Sequence, residues 1–360
     1  LRAAPGKRFL FAAAGVALAL LLLEGAARLT LHLLGKSWGA VVPPSIVRFD
    51  SGLGWSLKPG SRAASKRTGL EVEYRINSQG LRDGETSYQK PAGVFRIVLL
   101  GDSRSFGFGV PIEKHFSSLL EGYFRNLEVV NLGVDGYGID QELLYLRAEG
   151  FRYQPDLVLT YLSHFHDHRH MHTKRWGVGK PAFVLRNGQL VLVNSPVSNN
   201  SPGLLALRRI DQRLAGISSL YTVFRDSTVY LAAGDNGLRR LARRVGVVHE
   251  AGGAGERRDD QEFQREMEEL GQAIIAAMAR ESKRRGARFV LVTQMPELIP
   301  TAARAGVACL DVSPALANPG FYLPSDLHHI NESGNGVLAW EIARFLRANS
   351  LIPARSVKKD

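Results

Sequence analysis

Five short runs rich in valine, isoleucine and leucine set the strongest limit on how this chain folds. They are FRIVLLG (95–101), LEVVNLG (127–133), PDLVLTYL (155–162), ARFVLVTQM (287–295) and GVACLDV (306–312). Between them lie stretches whose apolar residues recur at helical spacing: EKHFSSLLEGYFRN, DQELLYLRAEG and the long QEFQREMEELGQAIIAAMARESKRRG. A helix, VLAWEIARFLRAN, is expected to close the series. Strands that are apolar on both faces and alternate with helices imply a parallel sheet covered on both sides. Ligands on such sheets bind beyond the carboxyl ends of the strands, near a point where the strand order reverses. The chemistry is therefore sought in the segments that follow each run.

The flanks predict further parts. Residues 1–35 carry Arg2, Lys7 and Arg8 ahead of an unbroken apolar run from Phe9 to Leu23. A bilayer span takes ~20 mostly apolar residues, and this run reaches that length only by continuing past Glu24 to Ala27. The basic flank predicts an uncleaved single-pass transmembrane anchor, with everything after it on the extracytoplasmic side, in periplasm or at the cell surface. A cleaved signal peptide is the competing expectation. Residues 36–92 look like a linker, loop-like through GWSLKPGSRAASKRTG, which becomes a small β-rich lead-in at LEVEYRINSQGLRD. The main domain is expected over 93–352, with an insertion at about 173–260 and a basic tail at 353–360. Within the insertion KPAFVLRNGQLVLVNSPV predicts a β-hairpin turning at Asn187-Gly188.

A net charge of +12 raises the question of nucleic acid. No zinc-finger spacing, basic zipper or RNA-binding signature is present, and the basic residues are spread over several segments, so no nucleic-acid partner is expected. A basic surface also suits a protein beside anionic lipid. The single cysteine, Cys309, excludes an internal disulfide.

Three segments carry candidate chemistry. After the first run comes GDSRSFGFG, with Ser103 leaving a buried strand toward a helix. Serine there is either a presented nucleophile or a helix N-cap. After the second run, NLGVDGYGIDQ offers Asn131, Gly133, Gly136 and Gly138, a flexible stretch whose N–H groups suit a developing negative charge. Near the C-terminus, SDLHHINESGNG places Asp326 and His329 three apart, so that a carboxylate can hold an imidazole whose other nitrogen faces a serine.

Together these pieces resemble the SGNH (GDSL-type) hydrolase family, and the anchor, lead-in and hairpin resemble its membrane-anchored bacterial branch. The resemblance covers roughly residues 94–170 and 286–348, and HINESG (329–334) selects His329 over His328. It implies a flavodoxin-like three-layer α/β/α sandwich, with Ser103 as nucleophile, His329 as base and Asp326 as its partner. It also implies an oxyanion hole from the N–H groups of Ser103 and Gly133 and from an asparagine side chain after the third strand. That asparagine position falls on His166, and the matching aspartate is Asp167. A ring nitrogen of His166 can serve as the third donor. Arg104, bulky and cationic beside the nucleophile, either favours an anionic substrate or points away.

His166 belongs to SHFHDHRHMH (163–172), where histidine occupies every second position. On an extended segment His164, His166 and His168 would point the same way and could converge on zinc. Five alternations exceed what one site uses, so no physiological metal and no organic cofactor is expected. The implied function is hydrolysis of an acyl ester, acetyl first, on an envelope carbohydrate or lipid. Acyl transfer to a sugar hydroxyl by the same triad, and a non-catalytic envelope scaffold, are the alternatives.

Overall fold

The computed structural model describes residues 5–33, 44–65, 71–163, 169–175, 178–198, 214, 218, 220–221, 260–324, 326–353 and 356, with backbone only at 5–13, 29–33, 44, 260, 326 and 327. The chain divides into two compact units, one of residues 1–40 and 200–257, the other of 41–199 and 258–360.

All five apolar runs form strands of one parallel sheet in the second unit. In chain order the lead-in contributes β1 (Val47–Asp50), β2 (Gly54–Leu57), β3 (Arg62–Ser65) and β4 (Val72–Arg75). The sheet strands are β5 (Phe95–Gly101), β6 (Leu127–Asn131), β7 (Leu157–Leu162), β12 (Arg288–Thr293) and β13 (Ala308–Asp311). Between β7 and β12 lie the short β8 (Lys174–Arg175) and β9 (Val178–Gly179) and the hairpin β10 (Ala182–Arg186) and β11 (Gln189–Val193); β14 (Tyr322–Leu323) and β15 (Asp326–Ile330) follow the sheet. The spatial order β13-β12-β7-β5-β6 is the 2-1-3-4-5 arrangement of flavodoxin-like folds, read from β6. Its reversal point lies between β5 and β7.

The helices are α1 (Pro5–Leu33), α2 (Ser103–Phe106), α3 (Phe116–Gly122), α4 (Ile139–Ala148), α5 (Asp260–Arg284), α6 (Ile299–Arg304) and α7 (Glu332–Ala348). Side chains that alternate along the strands fill two separate cores. Val98, Leu100, Val130 and Val158 pack with α4 and α5, through Leu143, Leu146, Ile274 and Met278. Ile97, Leu99, Leu157 and Val290 pack on the other face with α3 and α7, through Phe116, Leu120, Leu338 and Ile342. Burying one such side chain contributes ~1.5–3 kcal/mol, so the two faces together supply the main driving force for the sheet.

The lead-in departs from expectation. The segment 54–69 was expected as loop; β2 and β3 lie within it, because β2 pairs antiparallel with β1 and β3 with β4. The lead-in is part of the core, with Trp55, Leu57, Val72, Tyr74 and Leu81 buried in the cluster on the α4–α5 face. Among the described residues no helix is long and apolar enough to cross a membrane. α1 forms over 29 residues, and within it Glu24 and Arg28 pair with each other at 2.7 Å.

The predicted hairpin is present, with Arg186 opposite Gln189 and both Asn187 and Gly188 at positive φ, as a tight two-residue turn requires. Most of the remaining insertion and all but Ser356 of the tail after Pro353 lie outside the described residues.

Candidate active site

The site is built where β5 ends. Gly101 closes the strand, Asp102 caps the helix that follows, and Ser103 is its first residue. The N-cap is therefore Asp102, whose Oδ1 accepts from Arg104 N–H at 3.0 Å, and not Ser103. The Ser103 hydroxyl is thus left for chemistry, and its N–H, at a position with no intrahelical acceptor, has no partner among the described residues. The second carboxylate oxygen of Asp102 accepts from Arg169 Nη1 at 2.8 Å, and the same nitrogen reaches Tyr137 O at 3.1 Å.

A four-residue helix is not stable alone, because nucleation fixes several residues for one hydrogen bond. α2 is held from outside, carbonyl by carbonyl. Ser103 O accepts from Gly107 and Phe108 N–H, Arg104 O from His115 Nε2 at 2.9 Å, and Ser105 O from Asn131 Nδ2 at 2.7 Å. Arg82, fully buried, donates to Phe106 O at 2.8 Å, to Gly107 O, and to Val110 O at 2.6 Å. Its guanidinium also lies 4.5 Å from the Tyr74 ring and 5.0 Å from that of Phe106. Gly107 ends the helix at φ +84°, and a Cβ there would stand 2.6 Å from Arg82 Nη1. His115 is completely buried, and desolvation pushes its pKa down to about 3. It is therefore neutral, donates from Nε2 to Arg104 O, and accepts at Nδ1 from Ser117 N–H.

His329 reaches Ser103 from the far end of the chain. Its Nε2 lies 2.7 Å from Ser103 Oγ, and both residues are buried. The Phe108 ring meets the imidazole edge-on, with centroids 4.7 Å apart. β15 carries His329 and runs directly into α7, whose N-cap is Asn331. The Asn331 side chain accepts from Gly334 N–H and donates to Gly320 O and Tyr322 O, tying strand, loop and helix together. A Cβ at Gly334 would stand 2.4 Å from Phe321 O. HINESG is thus a local device that fixes where the imidazole emerges. Asp326 starts the same strand, three residues earlier; its side chain lies outside the described residues.

One expected donor is already used. Gly133 N–H is occupied, donating to Asn131 Oδ1 at 2.8 Å. Glycine is needed there for contact: a Cβ would stand 2.3 Å from the Ser105 carbonyl carbon. Gly133 is corrected from a donor to a packing point between the second loop and α2. Three residues on, Gly136 N–H has no partner among the described residues. The lead-in holds that loop, since Trp55 Nε1 donates to Asp135 O at 3.0 Å and Tyr137 O–H to Trp55 O at 2.6 Å. Asp135 is half-buried, and desolvation raises its carboxyl to about 6 against the opposing pull of His329 and Arg169.

His166, with His164 and His168, lies outside the described residues. The end of the tract is a 3-10 turn over Arg169–Met171. His170 is buried against Met267 O at 3.0 Å, whereas His172 is exposed. No group of three potential metal ligands occurs among the described residues.

With this geometry in hand, comparison adds little. No protein-family model matches the sequence, and a search of curated proteins finds no match. Similar solved structures include a protein assigned to the lipolytic G-D-S-L family from Desulfitobacterium hafniense DCB-2, at 12% identity and TM-score 0.36, covering 70% of this chain and 99% of that one. A two-domain esterase active on acetylated mannans matches at 10% identity and TM-score 0.37, over 74% of this chain and 52% of its own. A variant of an acetyl-xylooligosaccharide esterase from Geobacillus Stearmophilus gives 11% identity and TM-score 0.37, covering 72% and 96%. Likeness at this level carries no argument about activity, which rests on the site.

Arg82, His115 and Arg169 were not singled out by the sequence. Each is one polar residue in an unremarkable context, and its partners come from distant segments. The one sequence signal was GLRD, where an arginine and an aspartate follow a turn glycine after one leucine. Asp83 turns out to accept the Asn131 N–H at 2.9 Å.

Proposed function

We propose that the chain is a serine ester hydrolase. The single observation that carries this is the 2.7 Å contact between Ser103 Oγ and His329 Nε2, across 226 residues of sequence, at the sheet's reversal point. A scaffold that merely kept the fold has no use for that approach.

In this reading Ser103 Oγ attacks the ester carbonyl carbon while its proton passes to His329 Nε2. The other ring nitrogen then carries its proton toward Asp326, which orients the ring. Negative charge on the carbonyl oxygen is met by the free N–H groups of Ser103 and Gly136, with His166 as third donor. Collapse breaks the ester C–O bond, and His329 returns its proton to the departing alkoxide. Water, deprotonated by the same imidazole, hydrolyses the acyl-serine and restores the serine proton. The acyl group is small, acetyl first, carried by an envelope carbohydrate or lipid.

The N-terminal helix is proposed as the tether to a membrane, with the hydrolase unit on the extracytoplasmic side. Val16, Leu18, Leu20, Leu21, Leu22 and Leu23 are each more than half exposed, on all sides of α1, which suits lipid contact better than water.

Hydrolysis of 4-nitrophenyl acetate by the full chain in detergent tests the activity. Ser103→Ala and His329→Gln are each expected to lower the rate at least ~10³-fold. A folded wild-type chain that does not exceed the uncatalysed rate would refute the proposal.

A further inference from the structure

Arg104 directly follows the proposed nucleophile, and its guanidinium is buried without a counter-ion among the described residues. Other buried arginines have their terminal nitrogens engaged, although Arg82, like Arg104, keeps an unpartnered Nε. Arg82 spends its terminal nitrogens on three carbonyls, Arg96 pairs with Glu128 and two carbonyls, and Arg169 pairs with Asp102. Arg104 is 7% exposed, and its side chain makes one hydrogen bond among the described residues, from Nη1 to Tyr161 O–H at a long 3.3 Å. Its Nε–H is buried with no partner among the described residues.

The surroundings fix the guanidinium without neutralising it. Tyr161 donates its own proton to Gln294 Oε1 at 2.9 Å, Gln294 Nε2 donates to Tyr322 O–H at 2.8 Å, and Tyr322 donates to Leu316 O at 3.0 Å. Every proton in this chain of bonds points away from Arg104, so Tyr161 can only accept from it. Burial pushes Tyr161 up to about 12, which keeps it neutral. The Tyr322 ring lies 5.9 Å from the guanidinium carbon, at the edge of useful cation–π range. The carboxylate nearest in sequence, Asp102, is held by Arg169. A buried cation left in this state costs stability unless something else supplies its negative partner.

We infer that the missing partner comes with the substrate: Arg104 binds a carboxylate carried by the ester and thereby selects acidic substrates. A planar carboxylate matches the guanidinium fork, and pairing in a dry site is strong. The inference builds on the hydrolase reading, since it places the substrate at Ser103. The carboxylate belongs either to the alcohol side, as in a uronic acid, or to the acyl side, as in a dicarboxylic half-ester.

Calorimetry on the full chain in detergent separates these sources. The ligands are glucuronate against neutral glucose, and succinate against neutral succinamide. One acid is expected to bind ~10- to 100-fold more tightly than its neutral counterpart, the range for a hydrogen bond to a charged group. Arg104→Gln is expected to abolish the preference and Arg104→Lys to keep part of it, with a thermal melt confirming that each is folded. Glucuronate binding assigns the carboxylate to the alcohol, succinate binding to the acyl group. Equal binding of acid and neutral forms, or an acid preference that survives Arg104→Gln, overturns the inference. 4-Nitrophenyl acetate hydrolysis on the same samples keeps the two proposals apart. Arg104-dependent binding without hydrolysis leaves the anion site standing and removes the hydrolase, whereas hydrolysis without it does the reverse.

Discussion

At the scale of single residues, Ser103 owes its position to neighbours that sequence inspection passes over. Asp102 takes the capping role that serine could have filled, and His115 and Arg82 hold the carbonyls behind it. Because His115 is neutral when folded, its protonation is linked to stability. With the folded pKa depressed from 6.5 to about 3, its contribution is fully present above pH 6.5 and is lost as pH falls through that window. Other carboxyls, Asp83 and Asp135 among them, shift upward and act in the opposite direction. The clean readout is therefore a difference. His115→Gln, which keeps a donor for Arg104 O, is expected to gain on the wild type by up to ~1.4 kcal/mol per pH unit as pH drops from 6.5 toward 4. Urea unfolding at a series of pH values measures this, and parallel pH dependences would show that His115 titrates normally. The residues GDS and HINESG were legible, and so was their pairing. Which glycine frees its amide was not, because that depends on the Asn131 side chain folding back onto Gly133.

Elements were the most legible level. Each of the five apolar runs is a strand of the sheet, since a run that is apolar on both faces has few other ways to be buried. The lead-in misled for the opposite reason: β2 and β3 are short, contain Gly, Ser, Lys or Arg nearby, and exist only because partners pair with them. α2 is the extreme case, a helix of one turn that depends on external donors. Arg82→Met preserves volume but strips three carbonyls of their donor, and a loss of about 3 kcal/mol or more is expected. Chemical denaturation measures it, and a loss below about 1 kcal/mol would mean those carbonyls find water instead. Asn331→Ala removes the α7 cap and its ties to Gly320 and Tyr322. About 1 kcal/mol of stability should go with the cap alone. Esterase kcat should fall as well, because the same side chain steadies the strand that carries His329.

For the whole molecule, the proposal joins a sheet-containing unit with the candidate active site to a helix whose described leucines are exposed. Membrane association should follow residues 1–40. The full chain is expected to sediment with membranes and to need detergent for release, whereas a chain starting at residue 41 should remain in the soluble fraction. Equal partitioning of both would assign membrane affinity, if any, to the basic surface of the rest, and raised salt would then release it. The lead-in cannot be trimmed in the same way. Trp55, Tyr74 and Leu81 lie in the core, and Trp55 holds the loop that bears Gly136. Fold class was readable across the whole sequence because periodicity and turn residues agree. The histidine tract was not, because its function depends on where five residues after β7 settle.

Whether His329 activates Ser103 is tested by a fluorophosphonate probe, which needs no assumption about substrate. Full-length protein in detergent is exposed to the probe and the adduct is located by mass spectrometry, beside Ser103→Ala and His329→Gln. A single adduct on Ser103, absent in the first variant and slowed at least ~10³-fold in the second, is the result this account predicts. A folded chain that takes up no probe, or one labelled as fast without His329, would contradict it.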